Sequence, residues 1–126
     1  MKRVKAIGGI FFKARDPEAL KAWYRDRLGV PLDENGYVVM PWPAAGEARA
    51  GYQVWSPFPA DTKYFEPSAA PFMVNFIVDD LHALLTELRA AGCRVDDKVD
   101  DSEFGKFGWV LDPEGNRVEL WEPPPK

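Results

Sequence analysis

Apolar and polar positions alternate with a period of two from Lys5 to Ala14. Ile10, Phe12 and Ala14 fall on one side and Ile7, Gly9 and Phe11 on the other, the pattern of a strand that uses both faces. The period then changes. Leu20, Trp23, Tyr24 and Leu28 recur at helical spacing behind Asp16 as N-cap, Pro17 at the first helical position and Glu18 in the first turn, and Gly29 closes the element. A short extended piece near residues 30–32, a turn at Asn35-Gly36, and strands at residues 37–42 and 51–56 around the loop 43–49 complete a βαβββ unit.

The order then recurs. Val74, Phe76 and Val78 alternate with Met73, Asn75 and Ile77, and Asp79-Asp80 opens a helix whose Leu81, Leu84, Leu85 and Leu88 form an apolar stripe ended by Gly92. Strands at 94–99, 105–111 and 117–122 follow, the last two joined by the turn Asp112-Pro113-Glu114-Gly115-Asn116. The halves match residue for residue in places: Asp16 with Asp80, Ala19-Leu20 with Ala83-Leu84, and Gln53-Val54-Trp55-Ser56-Pro57 with Glu119-Leu120-Trp121-Glu122-Pro123. One supersecondary unit used twice predicts pseudo-two-fold symmetry and a site at the seam. The fold class is therefore α+β, with two βαβββ repeats (residues 1–56 and 72–123) forming a cupped mixed sheet in one domain spanning 1–126. The linker 57–71 carries four prolines with Phe58, Tyr64 and Phe65. Two readings stand for it: a strap over the sheet edge, or a lid in which Tyr64 or Phe65 covers the cavity.

Composition narrows the function classes. With 126 residues, 46% hydrophobic and 29% charged, the chain can bury a real core. No apolar run reaches the roughly 20 residues of a membrane span, and no apolar signal segment follows the basic start. The single cysteine, Cys93, excludes an intrachain disulfide, fits a reducing cytoplasm, and is expected to pack at a helix–strand junction. A net charge of −4 and a pI near 5.0 argue against nucleic-acid binding.

Asp16 followed by Trp23-Tyr24-Arg25-Asp26-Arg27-Leu28-Gly29, then Val78-Asp79-Asp80-Leu81, then Asp112-Pro113-Glu114-Gly115-Asn116-Arg117-Val118-Glu119-Leu120 resemble the signatures of the vicinal oxygen chelate superfamily. That superfamily includes glyoxalase I, bleomycin-resistance proteins and extradiol dioxygenases. The resemblance implies a four-position metal tetrad: one residue in the first strand of each unit, seven before the helix-opening Asp, and one in the last strand of each. Those positions hold Gly9, Gln53, Met73 and Glu119. Glycine has no donor and a thioether suits soft ions, so the set is poor for Mg, Mn, Zn, Ni or Fe(II). The one histidine, His82, falls on the second helix. No metal and no cofactor are expected.

Alternation from the tetrad places Ile7, Phe11 and Lys13 beside Gly9, Trp55 beside Gln53, Asn75 and Ile77 beside Met73, and Arg117 and Trp121 beside Glu119. The candidate ligand-binding set is therefore Phe11, Gln53, Trp55, Met73, Asn75, Glu119 and Trp121, an aromatic cup with a few fixed polar groups. Trp55 and Trp121 occupy matching places and are candidates to flank a planar ligand. Glu119 is the candidate catalytic residue, since burial among aromatics raises a carboxyl pKa; the alternatives are a ligand contact or an inert partner of Arg117 or Lys13. Phe104 and Phe107, flexed by Gly105 and Gly108, either close the cup mouth or belong to an ordinary twisted hairpin. The leading expectation is a bleomycin-resistance-like protein that binds a small, partly aromatic molecule in a metal-free cup, as a homodimer. Two alternatives are a lyase or isomerase, metal-dependent or with Glu119 as general base, and a structural module whose cup is filled by its own side chains.

Overall fold

The computed structural model describes residues 3–33, 36, 38–42 and 51–125. Asn35 of the expected turn and the loop 43–49 lie outside the described residues. The elements are β1 (Val4–Ala14), α1 (Pro17–Leu28), β2 (Val38–Trp42), β3 (Gly51–Pro59), β4 (Phe72–Val78), α2 (Leu81–Ala90), β5 (Arg94–Val95), β6 (Asp100–Ser102), β7 (Gly105–Leu111) and β8 (Arg117–Glu122). Among the described residues these strands form one mixed sheet in the order β2-β3-β1-β4-β8-β7-β5, with β6 also paired to β7. Within each repeat the first strand runs parallel to the last, β1 with β3 and β4 with β8. The repeats meet where β1 pairs antiparallel with β4. The mixed α+β architecture with internal symmetry is the one the repeats predict.

Local chemistry sets the helix ends. Asp16 accepts from Ala19 N–H at 3.0 Å and Asp80 from Ala83 N–H at 3.1 Å, as N-cap carboxylates do. Gly29 closes α1 at φ 69°. Glu122 adds a bond from the end of β8 to Leu81 N–H at 2.8 Å, tying α2 to the sheet.

The two faces of the sheet bury different things. On one, Leu81, Leu84 and Leu85 of α2 pack on Val78 and Leu120. On the same side of the first repeat, Tyr24 of α1 meets Trp55 with ring centres 4.5 Å apart, and Phe12 lies 5.3 Å from Trp55. No residue of α1 is fully buried, and Trp23 and Leu28 are exposed despite their helical spacing. On the other face Phe11, Phe65, Met73 and Trp109 form a second buried cluster, joined by Val54, Phe58 and Phe107. Phe65 belongs to the linker and is wholly buried. The linker therefore folds into the cup rather than lying along an edge.

Two local expectations change. Cys93 is exposed instead of packed. The strand expected at 94–99 stops at Val95, as β5, because Asp96 turns the chain, its carboxylate accepting from Lys98 N–H at 3.0 Å, and pairing with β7 resumes only with β6 at Asp100. No helix among the described residues is long and apolar enough to cross a membrane.

Candidate functional site

A single row of cross-strand partners runs over five strands. Val54 on β3 pairs with Gly9 on β1, Gly9 with Asn75 on β4, Asn75 with Glu119 on β8, and Glu119 with Trp109 on β7. Directly opposed residues present side chains to the same face, which here is the cup. At the seam the register slips between Ile7 and Gly9, so Gly8 is an extra residue in β1 opposite a single step of β4. An added Cβ on Gly8 would overlap Asn75 Oδ1 and come within 2.9 Å of Ile77 Cγ1 and 3.1 Å of Trp121 Cε3. Asn75 and Trp121 can approach β1 because nothing projects there.

Glu119 is the centre of the row. Its Oε2 accepts from Asn75 Nδ2 at 2.7 Å, and its Oε1 accepts from Trp109 Nε1 at 3.1 Å and from the Tyr64 hydroxyl of the strap. The carboxyl is 2% exposed. Burial pushes its pKa above the ordinary carboxyl range, and the bonds from Tyr64, Asn75 and Trp109, with the more distant Arg117, pull the other way without cancelling it. Burial first, and then the neighbouring Glu119, hold the Tyr64 phenol far above its usual value, so it stays a neutral donor. The Arg117 guanidinium lies 4.8 Å from the Trp109 ring centre and donates to the Glu66 carbonyl at 2.7 Å. It braces both the wall of the cup and the strap.

Glu119 has a pH signature with a definite sign. The folded carboxyl keeps its proton to higher pH than the unfolded one, so its contribution to stability is full below the unfolded value and is lost as pH rises through the raised folded value. Glu119→Gln keeps the shape and cannot ionise. Rotation of the Asn75 amide turns Oδ1, which has no hydrogen-bond partner among the described residues, toward the new donor. The variant is expected to melt above the wild type near pH ~8, with the gap closing toward pH ~4. Scanning calorimetry across that range checks it, and a gap that is constant or widens on acidification contradicts the assignment.

Most of the candidate residues come together. Phe11, Met73, Asn75, Glu119 and Trp121 are all buried and share the cup face, where Trp121 stacks on Phe107 at 6.0 Å with rings 5° apart. Gln53 and Trp55 do not join them. The parallel register of β3 on β1 puts Val54 into the cup, so alternation turns its neighbours to the α1 face. There Trp55 packs on Tyr24, while the exposed Gln53 donates to the Ile7 carbonyl at 2.9 Å. Trp55 and Trp121 thus stand on opposite faces and cannot flank one ligand. Neither Lys13 nor Arg117 makes an ion pair with Glu119; Lys13 lies 5.9 Å from the Phe65 ring centre. Tyr64 and Trp109, the two donors to Oε1, are additions to the candidate set. Trp109 is signalled by the hairpin turn: Asp112 to Asn116 centres on Glu114, which sets residue 109 opposite 119.

The residues do not fit a divalent ion. Gly9 supplies no donor, Met73 supplies a thioether, Gln53 faces away, and both oxygens of Glu119 already accept bonds from the chain's own donors. His82 is exposed on α2. Among the described residues no group of three or more His, Cys, Asp and Glu is placed to hold a metal. Outside Tyr64 the cup opens on a depression of about 530 Å³ bordered by Tyr64, Val99, Asp100, Asp101, Ser102 and Phe107.

No curated protein sequence matches the chain. Methylmalonyl-CoA epimerase from Mycobacterium tuberculosis superposes with a TM-score of 0.60 at 20% identity, covering 97% of this chain and 90% of that one. A Streptomyces coelicolor methylmalonyl-CoA epimerase in complex with 2-nitronate-propionyl-CoA gives 0.66 at 17% identity, covering 95% and 98%. A glyoxalase/bleomycin resistance protein/dioxygenase superfamily member from Vibrio splendidus 12B01 gives 0.58 at 12%, covering 94% and 98%. Identities this low carry the fold alone. A family model described as a glyoxalase-like domain matches residues 9–121, and the chain belongs to that family.

Proposed function

We propose that this protein binds a small, partly aromatic molecule in a metal-free cup. The observation that carries the reading is the state of Glu119, whose carboxyl is satisfied by the neutral donors Tyr64, Asn75 and Trp109. Around it stand Phe11, Met73, Phe107 and Trp121, with Asp100 and Asp101 at the mouth. Apolar walls with a few fixed polar groups are the make-up of a small-molecule site. Binding here rests on ring stacking and hydrogen bonds to Glu119. A thermal-shift panel of antibiotics and aromatic metabolites, read together with the Trp109 indole N–H resonance, tests this. A saturable shift that moves that resonance is expected in metal-free buffer; binding that appears only with added metal, or that leaves Trp109 unmoved, contradicts it.

The raised pKa of Glu119 favours a second reading, a metal-free isomerase with Glu119 as general base. The structurally similar proteins include epimerases. Exchange of a ligand C–H for deuterium, abolished in Glu119→Gln, separates this reading from simple binding.

A further inference from the structure

Tyr64 is the one member of the Glu119 cluster that belongs neither to the sheet nor to the sealed core. Its ring is stacked on Phe58 at 5.5 Å with planes 7° apart and meets Trp109 edge-on at 6.3 Å. Its hydroxyl reaches Glu119 Oε1. Yet Tyr64 is 38% exposed, whereas the adjoining Phe65 is at 0% and, with the Arg117–Glu66 bond, anchors the strap independently of Tyr64. The mouth depression lies against Tyr64, so this ring is the wall between solvent and the carboxyl. When Tyr64 turns outward, Oε1 keeps its bond from Trp109 and Oε2 its bond from Asn75. Opening therefore breaks one hydrogen bond and the contacts of the Tyr64 ring with Phe58, Phe65, Trp109 and the Arg117 guanidinium, while the sheet, the buried Phe65 and the Arg117–Glu66 tie remain in place.

The space Tyr64 holds has a definite chemistry. It is one ring thick between Phe58 and the Trp109 edge, and at its inner end stands an acceptor that takes an O–H donor. We propose that this space is a ligand subsite for a phenol-type ring, and that Tyr64 is its gate, giving way to a ligand whose hydroxyl takes over the bond to Glu119. The proposal rests on the metal-free binding reading above and names the ligand class for that cup.

The test uses two probes of nearly equal shape, 4-methylphenol and toluene, followed by calorimetry and by the Trp109 indole resonance. The wild type is expected to bind 4-methylphenol saturably and at least about tenfold more tightly than toluene, the worth of one hydrogen bond to a carboxylate. Tyr64→Ala, with no gate to displace, is expected to bind 4-methylphenol about tenfold or more tightly than the wild type. Should that variant fold poorly, Tyr64→Phe, which keeps the ring and loses the hydroxyl, is expected to bind it more tightly than the wild type by a smaller factor. Equal affinity for the two probes, no binding to the wild type, or no gain in either variant overturns the subsite. If other small molecules move the Trp109 resonance without preferring a ring and a hydroxyl, the metal-free cup stands and the phenol subsite falls. If nothing moves it, both fall.

Discussion

Phe65→Ala is expected to destabilise the protein by about 3–5 kcal/mol and to lower its melting temperature by roughly 10–20 °C. A strap laid over a sheet edge would lose little on such a change, because surface substitutions cost about 0.5 kcal/mol or less. Phe65 is instead wholly buried among Phe11, Met73 and Trp109, with Phe58 at 5.2 Å between ring centres. Truncation removes the aromatic surface and leaves a hole that the rigid sheet cannot close. The comparison that makes the result specific is Tyr64→Phe, expected to cost only about 1 kcal/mol, since it removes one hydrogen bond and no packing. Urea melts of the two variants check both values. Similar small costs would mean that the strap is not part of the core.

Gly8→Ala is the second large effect, expected at about 2–4 kcal/mol from a single methyl group. The methyl would overlap Asn75 Oδ1 and crowd Ile77 and Trp121 at 2.9 and 3.1 Å. All three lie in strands, so relief comes mainly from moving the Asn75 amide, which breaks its 2.7 Å bond to Glu119. The mechanism predicts strong coupling. In an Asn75→Ala background the same Gly8→Ala change should cost about 1 kcal/mol or more less, because the group it strikes is gone. Equal costs in the two backgrounds would place the strain elsewhere.

How much of this was legible in the sequence follows from which interactions are local. Helix starts at Asp16 and Asp80 and the paired repeats are written in short motifs, so element order and symmetry could be read directly. The cup face of the second repeat followed as well. Met73, Asn75, Glu119 and Trp121 lie in strands without irregularity, where a period of two holds. The first repeat misled for two reasons. Gly8 is an extra residue, so alternation does not run through it, and Ile7 ends up exposed opposite Phe76. The parallel pairing of β1 with β3 has no hairpin turn from which to count register. Matching Gln53-Val54-Trp55 to Glu119-Leu120-Trp121 was therefore off by one, and a one-residue slip moves Gln53 and Trp55 to the opposite face. The role of Tyr64 was open for a similar reason: only tertiary packing decides whether a proline-rich linker enters a cavity or skirts it.

The central claim is that Glu119 is held by the chain's own donors and takes no metal. Elemental analysis of the purified protein after exposure to Mn, Ni and Zn, followed by desalting, tests it most directly. Substoichiometric metal that is the same in the wild type and in Glu119→Gln is the predicted result. One tightly held ion per subunit in the wild type, lost in Glu119→Gln, would contradict the account.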